Sequence, residues 1–269
     1  MKLIRNGKIC NEADLKFSFL ERAFQYGDGL FETIIARNYQ MPLLAYHIER
    51  MVEGMKVMGL TASSDFTHQQ IQTYILELMA ANSYAGTARI KWMIWRSQGG
   101  LYLPKDNTIQ SILYLQPFIE PDSRPLVHVA FSEKVTLSYS LTSALKTMQC
   151  LPYIMAALEK QERRLDELIL TDNNGNIAEC TAANIFWVRE NRFFTPALST
   201  GCISGVMRRH IMKICQNHPK YKVEELRADK AALMKAETVF CCNVTGIRKI
   251  GAIGAHHFPN STDLSFLTL

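Results

Sequence analysis

The stretch from 166 to 196, DELILTDNNGNIAECTAANIFWVRENRFFTP, constrains the fold most. Residues 168–171 form an apolar run, and residues 172–176 have the composition of a tight turn. Residues 185–188 follow as a further apolar run, so the stretch predicts strands joined by turns. Glu179 stands among these apolar residues, where a carboxylate is costly to bury without a partner. Glu179 is therefore either a solvent-facing strand residue or a buried functional group.

The composition excludes several classes of protein. A chain of 269 residues with 48% hydrophobic and 20% charged residues is typical of a globular protein with one large or two modest domains. The net charge of +5 is too small, and too dispersed, to indicate nucleic-acid binding. Seven scattered cysteines without a C-x-x-C pair indicate neither a disulfide framework nor a metal site. Without a signal peptide or a membrane-spanning apolar run, we expect a cytoplasmic protein with no membrane partner.

The rest of the chain alternates strand and helix patterns, which predicts a mixed α/β (α+β) fold. Asn6-Gly7 is a hairpin signal, and Gly59 ends a helical apolar pattern over 44–58. Prolines at 117, 121 and 125 mark a linker. We expect an N-terminal α/β domain over 1–118, a linker over 119–125, and a C-terminal α/β domain over 126–269 that carries Lys146. Other predicted helices and strands cover 30–36, 66–81, 88–95, 109–116 and 152–164.

Several basic residues are candidates for an anion site. His47 and Arg50 are three positions apart, so they share one face of the predicted helix, which could equally be a solvated surface. Arg96 ends a strand before a glycine loop, where it could bind a substrate carboxylate or be an ordinary loop charge. Lys146 precedes the helix at 152–164, and a lysine in that place is usually a surface residue.

Two loops are candidates for anion binding through their backbone. Gly205, Val206 and Met207 belong to a glycine loop that opens a predicted helix over 208–217, and N–H groups at a helix start bind anions. Asn243, Val244 and Thr245 form a second small polar turn after a predicted strand.

The motifs that surround these candidates resemble one family. The pattern E-x-T-x-x-N-[ILV]-F is met by Glu179, Thr181, Asn184, Ile185 and Phe186. Other matching segments are F-Q-Y-G-D-G-L-F-E-T from Phe24, H-I-E-R from His47 and K-T-M-Q-C-L from Lys146. Together they resemble the class IV aminotransferases, pyridoxal-phosphate enzymes that include branched-chain aminotransferase, D-amino acid aminotransferase and aminodeoxychorismate lyase. The matching segments span nearly the whole chain.

The resemblance implies a fold of two α/β domains with the cofactor at their interface, usually in a homodimer. It implies that Lys146 forms an aldimine with pyridoxal 5'-phosphate and then moves a proton. Arg50 would bind the phosphate, with His47 as support, and Glu179 would keep the pyridine nitrogen protonated. Further implied contacts are those of the phosphate with Gly205, Val206, Met207, Asn243, Val244 and Thr245, and of the substrate with Tyr26, Phe31 and Arg96. Many relatives have Thr at the position of Met207, so a hydroxyl contact is lost here.

Three functions are compatible with these motifs. An aminotransferase would pass the amino group of an amino acid to a 2-oxo acid, and this is the function we expect. Aminodeoxychorismate lyase would use the same residues to release pyruvate and leave 4-aminobenzoate. A non-catalytic binding protein on this fold would be expected to lose Lys146 or Glu179, and both are present. The substrate and its chirality do not follow from the sequence, because pocket loops vary.

Overall fold

The structure is a computed structural model that describes residues 1–62 and 66–268. The chain forms two compact units. Unit 1 comprises Met1–Ile119 together with Leu145–Gln149, and unit 2 comprises Glu120–Ala144 together with the chain from Cys150 onward. Among the described residues, no helix has both the length and the apolar composition needed to cross a membrane.

Unit 1 is built on one antiparallel sheet with two long helices against it. In chain order its elements are β1 (Lys2–Arg5), β2 (Lys8–Asn11), α1 (Arg22–Tyr26), β3 (Gly29–Ala36), α2 (Leu44–Met58), α3 (His68–Ala81), β4 (Ala88–Arg96) and β5 (Ile109–Gln116). The strands are ordered β2-β1-β5-β4-β3. The core contains Met51 and Met55 of α2, Ile75 of α3, and Ile34 and Trp92 of the sheet.

Local signals predicted the turns and helix ends of unit 1 well. Asn6 and Gly7 both have positive φ, 48° and 77°, and join β1 to β2 as the hairpin that was expected. Gly59 ends α2 in the left-handed conformation, with a φ of 63°. The helix predicted over 66–81 begins only at His68, because the Thr67 hydroxyl accepts the Gln70 N–H and caps the helix.

Unit 2 contains two larger sheets with helices beside them. Its elements are β6 (Val129–Leu137), α4 (Leu151–Glu162), β7 (Glu167–Asp172), β8 (Ile177–Cys180), β9 (Asn184–Arg189), β10 (Arg192–Pro196), α5 (Val206–Asn217), β11 (Lys222–Leu226), α6 (Lys230–Met234), β12 (Thr238–Asn243), β13 (Gly246–Ile250), β14 (Ala252–Ile253) and β15 (His256–His257). One sheet has the order β11-β10-β9-β12-β13, and the other has the order β6-β7-β8. Strands β14 and β15 form a separate pair.

The segment Leu145–Gln149 belongs to unit 1, although the sequence assigned Lys146 to the C-terminal domain. Its backbone pairs with β3: the Phe31 N–H donates to the Lys146 carbonyl, and the Met148 N–H donates to the Gly29 carbonyl, both at 2.9 Å. Leu145 is also buried in the core of unit 1. Backbone pairing across more than a hundred positions of sequence is not visible in a local pattern, and it moves the lysine to the first unit.

Candidate active site

Glu179 is a buried carboxylate in β8 of unit 2. Every residue of β8 is buried, and Glu179 itself is only 3% exposed, which excludes a solvent-facing position. Its Oε1 accepts hydrogen bonds from the Tyr153 hydroxyl at 2.6 Å and from the Ile203 N–H at 3.2 Å, and its Oε2 accepts one from the Asn184 amide at 3.3 Å. Hydrogen bonds to the charged form favour an ionised carboxylate.

Asn184 links Glu179 to the glycine loop. Besides its bond to Glu179, the Asn184 amide donates to the Ile203 carbonyl at 2.8 Å. A Cβ atom added to Gly205 would lie 1.9 Å from Asn184 Oδ1, so only glycine fits beside this asparagine. The φ of Gly205 is −66°, which any residue can adopt. The requirement for glycine therefore comes from the clash with Asn184 and not from the backbone conformation.

Helix α5 begins at Val206, two positions before the predicted start at 208, so Val206 and Met207 are its first helical residues rather than loop residues. Gly205 is the N-cap residue, and no side chain caps the helix. The N–H groups of a first turn have no acceptor within their own helix, and the helix dipole adds positive charge there. This helix start is therefore chemically suited to an anion such as a phosphate. The side chains of Val206 and Met207 are buried, so their backbone groups would make the contact.

The second polar turn lies between β12 and β13, and its side chains form hydrogen bonds within the turn. Asn243 Oδ1 accepts from the Thr245 N–H at 2.8 Å and from the Thr245 hydroxyl at 2.6 Å. The Asn243 amide donates to the Ala182 carbonyl at 3.1 Å. Asn243, Val244 and Thr245 are half-buried. A phosphate-binding role for this turn stays a prediction, and the internal bonds of Thr245 do not favour it.

Lys146 is half-buried beside Phe31 in unit 1. Its Nζ lies 4.4 Å from the centroid of the Phe31 ring, and Nζ of Lys91 lies 3.3 Å from the same centroid. Two ammonium groups therefore share one aromatic ring. Lys146 is thus not an ordinary surface lysine, and Phe31, also half-buried, is its neighbour.

Arg50 and His47 lie on α2 and are buried rather than solvated. Both contact the carboxylate of Glu32 in β3. Arg50 Nε donates to Glu32 Oε1 at 2.7 Å, Arg50 Nη2 donates to Oε2 at 2.5 Å, and His47 Nδ1 lies 2.7 Å from Oε2. Burial opposes ionisation of Glu32, but the charges and hydrogen bonds of Arg50 and His47 outweigh it and lower its pKa to about 2. Two nitrogens of the Arg50 guanidinium thus already bind Glu32, and a role of Arg50 toward a phosphate stays a prediction.

Arg96 is enclosed by protein acceptors. Its Nε donates to Asp28 at 2.9 Å and its Nη2 to the Met58 carbonyl at 2.7 Å, with a further short bond from Nη1 to Asn107. Longer contacts of 3.4 Å join the same guanidinium to the Gly59 carbonyl and to the second Asp28 oxygen. These acceptors take all five donors, so the structure does not favour the contact with a substrate carboxylate, which stays a prediction.

Asp28 also binds a second arginine, and this network extends to Tyr26. Arg22 Nε donates to Asp28 at 2.7 Å, and the Arg22 guanidinium carbon lies 4.8 Å from the centroid of the Tyr26 ring. Burial raises the pKa of Asp28, but bonds from both arginines lower it below its usual range overall. Tyr26 is half-buried, and its ring centroid lies 5.9 Å from that of Tyr102. Its predicted role as a pocket wall stays a prediction.

Four residues that contact the predicted site residues were not proposed from the sequence, namely Glu32, Lys91, Tyr153 and Asn184. Glu32 had a usable signal, because an acidic residue inside an apolar strand needs a partner, and a basic pair follows on the next helix. Asn184 was visible as a fixed motif position. Lys91 and Tyr153 stood in ordinary strand and helix patterns, and no local signal distinguished them.

Comparisons with known proteins identify the family of this chain. A family model for amino-transferase class IV matches residues 29–253. The chain is 27% identical over 231 residues to a putative branched-chain-amino-acid aminotransferase of Methanocaldococcus jannaschii, covering 84% of this chain and 78% of that one. It is 26% identical over 245 residues to an aminodeoxychorismate lyase of Vibrio harveyi, covering 87% and 86%.

A solved structure shows the same fold. The branched-chain aminotransferase of Thermoproteus uzoniensis, crystallised with norvaline, superposes with a TM-score of 0.87 at 23% identity, covering 97% of this chain and 90% of that one. The family model accounts for most of the chain, including the segments that hold Lys146 and Glu179. The chain therefore belongs to the class IV aminotransferase family.

Proposed function

We propose that the protein is a pyridoxal-phosphate-dependent aminotransferase that passes the amino group of an amino acid to a 2-oxo acid. The observation that carries the proposal is the Glu179 carboxylate, which is 3% exposed and receives three hydrogen bonds that favour its ionised form. A buried carboxylate whose plane is fixed by hydrogen bonds is a suitable acceptor for the protonated nitrogen of a pyridine ring.

The donor set fits the cofactor. Lys146 supplies an amine for covalent attachment, Arg50 supplies a guanidinium for the phosphate, and the start of α5 supplies backbone N–H groups for the same phosphate. Glu179 supplies the acceptor for the ring nitrogen. Bound pyridoxal phosphate supplies an electron sink for the electrons released when a bond to the substrate α-carbon breaks.

The residues of the chain would divide the remaining work. The Lys146 amine, in its neutral form, would take the proton from the substrate α-carbon. Glu179 would hold a proton on the ring nitrogen, and Tyr153 and Asn184 keep the carboxylate of Glu179 in place. Phe31 stands beside the Lys146 amine, where its ring would limit the positions that the amine can take.

The second candidate function is that of an aminodeoxychorismate lyase. It is supported by the aminodeoxychorismate lyase of Vibrio harveyi, to which this chain is 26% identical, against 27% for the branched-chain relative. The match also covers a larger share of the lyase, 86% against 78%. Both functions use Lys146 and Glu179, so the buried carboxylate does not discriminate between them.

The deciding experiment compares substrates on one preparation. Purified protein loaded with pyridoxal phosphate is incubated with L- and D-amino acids plus 2-oxoglutarate, and separately with aminodeoxychorismate. Formation of glutamate together with a new 2-oxo acid supports the aminotransferase. Release of pyruvate and 4-aminobenzoate without glutamate supports the lyase instead. A Lys146→Ala preparation serves as the control for uncatalysed reaction with free cofactor.

We also propose that the protein is a homodimer. Large apolar side chains are strongly exposed at Leu101, Tyr102 and Leu103, which are 77%, 91% and 84% exposed. A contiguous exposed apolar loop is typical of an interaction surface. Light scattering coupled to size-exclusion chromatography tests this: the parent should have twice the chain mass of 30.6 kDa, and a variant with Ser at all three positions should shift toward the monomer. A monomeric parent contradicts the proposal.

A further inference from the structure

We infer that Tyr153 is a positioning residue for Glu179, whose hydroxyl fixes the carboxylate and limits how strongly it attracts a proton. The inference rests on the proposed function, since it concerns the carboxylate assigned to the ring nitrogen. The Tyr153 hydroxyl donates to Glu179 Oε1 at 2.6 Å, whereas the bonds from Ile203 and Asn184 measure 3.2 Å and 3.3 Å. Short bonds to ionised acceptors are the strong ones, so the phenol makes the strongest of these three bonds.

The position of Tyr153 is fixed by its helix. It is the third residue of α4, and its ring packs against a core cluster that includes Ala156, Leu168 and Cys202. The ring is anchored on apolar residues while its hydroxyl extends to Glu179, so the direction of the donor is set by packing. A hydroxyl held in this way fixes the orientation of the carboxylate plane and also stabilises the negative charge of the carboxylate.

Tyr153 remains a donor at every pH at which the protein would work. Burial, the nearby charge of Glu179 and the hydrogen bond to it all raise the pKa of Tyr153 above its usual range. Two thiols also lie in the field of Glu179, namely Cys180 and Cys202. The hydrogen bond to Cys241 and burial raise the pKa of Cys180, and burial raises the pKa of Cys202 to about 12. Both thiols therefore stay neutral.

The consequence concerns proton affinity. A hydrogen bond donated to the ionised carboxylate stabilises that form relative to the protonated one. Loss of the phenol should raise the proton affinity of Glu179, and Glu179 would then hold a ring-nitrogen proton more strongly. A purely structural tyrosine predicts something different: lower stability of the fold, with no change in the titration of Glu179.

The first test uses the protein without cofactor, so that it does not depend on the proposed function. The parent and the Tyr153→Phe variant are labelled with ¹³C at the glutamate side-chain carboxyl and titrated by NMR, and the Glu179 signal is identified by its absence in Glu179→Gln. We expect the Glu179 titration to move to higher pH in Tyr153→Phe by about one pH unit, the effect of one hydrogen bond to a charged group. The matched control is Tyr84→Phe, which removes a hydroxyl that bonds the Thr87 carbonyl and should leave the signal unmoved.

A second measurement tests the link to the ring nitrogen. With ¹⁵N-labelled pyridoxal phosphate bound, the midpoint of the ring-nitrogen titration should lie at higher pH in Tyr153→Phe than in the parent. When Glu179→Gln is also present, adding Tyr153→Phe should leave this midpoint unchanged. Incorporation of 3-fluorotyrosine at position 153, which keeps the shape and strengthens the donor, should lower both midpoints and serves if the Phe variant fails to fold.

The outcomes are distinguishable. An unmoved Glu179 titration in both the Phe and the fluorinated proteins overturns the inference. An equal ring-nitrogen shift in the parent and Glu179→Gln backgrounds also overturns it, because Tyr153 would then act without Glu179. If the protein binds no pyridoxal phosphate while the cofactor-free titration still shifts, the proposed function fails, and the coupling of Tyr153 to Glu179 stands on its own.

Discussion

The Phe31 N–H donates to the Lys146 carbonyl at 2.9 Å, and the Lys146 ammonium lies 4.4 Å from the centroid of the Phe31 ring. Phe31 of β3 therefore contacts both the backbone of Lys146 and the end of its side chain. The lysine is placed by β3 rather than by the helix that follows it in sequence. Substitutions in β3 should consequently affect the position of the amine even when they leave the segment 145–149 unchanged.

The first prediction concerns cofactor attachment. The purified protein, incubated with pyridoxal phosphate, should absorb in the visible range, and borohydride reduction followed by peptide mass spectrometry should find the label on Lys146. The reason is that Lys146 is half-buried beside the Phe31 ring and begins the K-T-M-Q-C-L segment that resembles the lysine motif of the family. Lys134, an exposed lysine paired with Glu162, should carry no label. A protein that stays colourless would remove the basis of the proposed function.

The second prediction separates Lys146 from Glu179. Lys146→Ala should abolish nearly all turnover, because the covalent attachment and the proton transfer are both lost. Glu179→Gln keeps the shape of the side chain but not its charge, so colour should persist while the rate of α-proton removal, measured by exchange with deuterated solvent, falls by orders of magnitude. Substrate affinity should change far less. Parent-like exchange in Glu179→Gln would mean that the ring nitrogen lies elsewhere.

The third prediction concerns Arg50. Arg50→Ala should weaken cofactor binding by about 1.5–3 kcal/mol, because a charge-assisted contact with the phosphate is lost. It should also lower the free energy of unfolding by about 3–5 kcal/mol, since the buried Glu32 carboxylate loses its partner. Arg50→Lys should restore only part of the affinity, because an ammonium cannot form the fork.

A double variant separates the two effects of Arg50. Adding Glu32→Gln to Arg50→Ala removes the unpaired charge, so urea unfolding should show a partial recovery of stability. Cofactor affinity, measured by fluorescence titration, should not recover. If Arg50→Ala alone binds the cofactor as tightly as the parent does, the phosphate is held by other groups.

Local features of the fold were predictable from the sequence, whereas the pairs that complete the candidate site were not. The Asn6-Gly7 hairpin and the Gly59 helix end each depend on a few adjacent residues whose backbone preferences are intrinsic. For Glu179 the motif and the apolar surroundings lie in one short stretch, so a buried position was one of the two alternatives that the sequence allowed.

The missed pairs join residues that are distant in sequence. Glu32 and Arg50 are 18 positions apart, Tyr153 and Glu179 are 26 apart, and Asp28 and Arg96 are 68 apart. Their contacts result from how helices and strands pack, which no local pattern encodes. The same reason applies to Arg96, whose acceptors on Asp28 and Met58 lie far from it in sequence.

The fourth prediction is a pH dependence of stability. The pKa of Glu32 is lowered from its ordinary value of 4.5 to about 2, so its ionised form stabilises the fold above about pH 4.5, and this stabilisation is lost as the pH falls toward 2. The contribution is about 3 kcal/mol. Urea unfolding at a series of pH values should therefore show that the difference between the parent and Glu32→Gln narrows between pH 5 and pH 2. Glu77→Gln, at an exposed position on α3, should follow the parent, and a difference that is constant with pH would contradict the assignment.

The last prediction concerns Gly205 and Asn184. A Cβ atom at Gly205 would lie 1.9 Å from Asn184 Oδ1, so Gly205→Ala must displace the asparagine that bonds Glu179 and the Ile203 carbonyl. We expect a loss of about 1–3 kcal/mol in the free energy of unfolding, as for other overpacked sites, together with weaker cofactor binding. Because the clash is with one side chain, the double variant Asn184→Ala with Gly205→Ala should be more stable than the sum of the two single effects predicts. Strict additivity would show that the glycine is needed for some other contact, and unchanged stability in Gly205→Ala would show that Asn184 can move without cost to the loop that precedes α5.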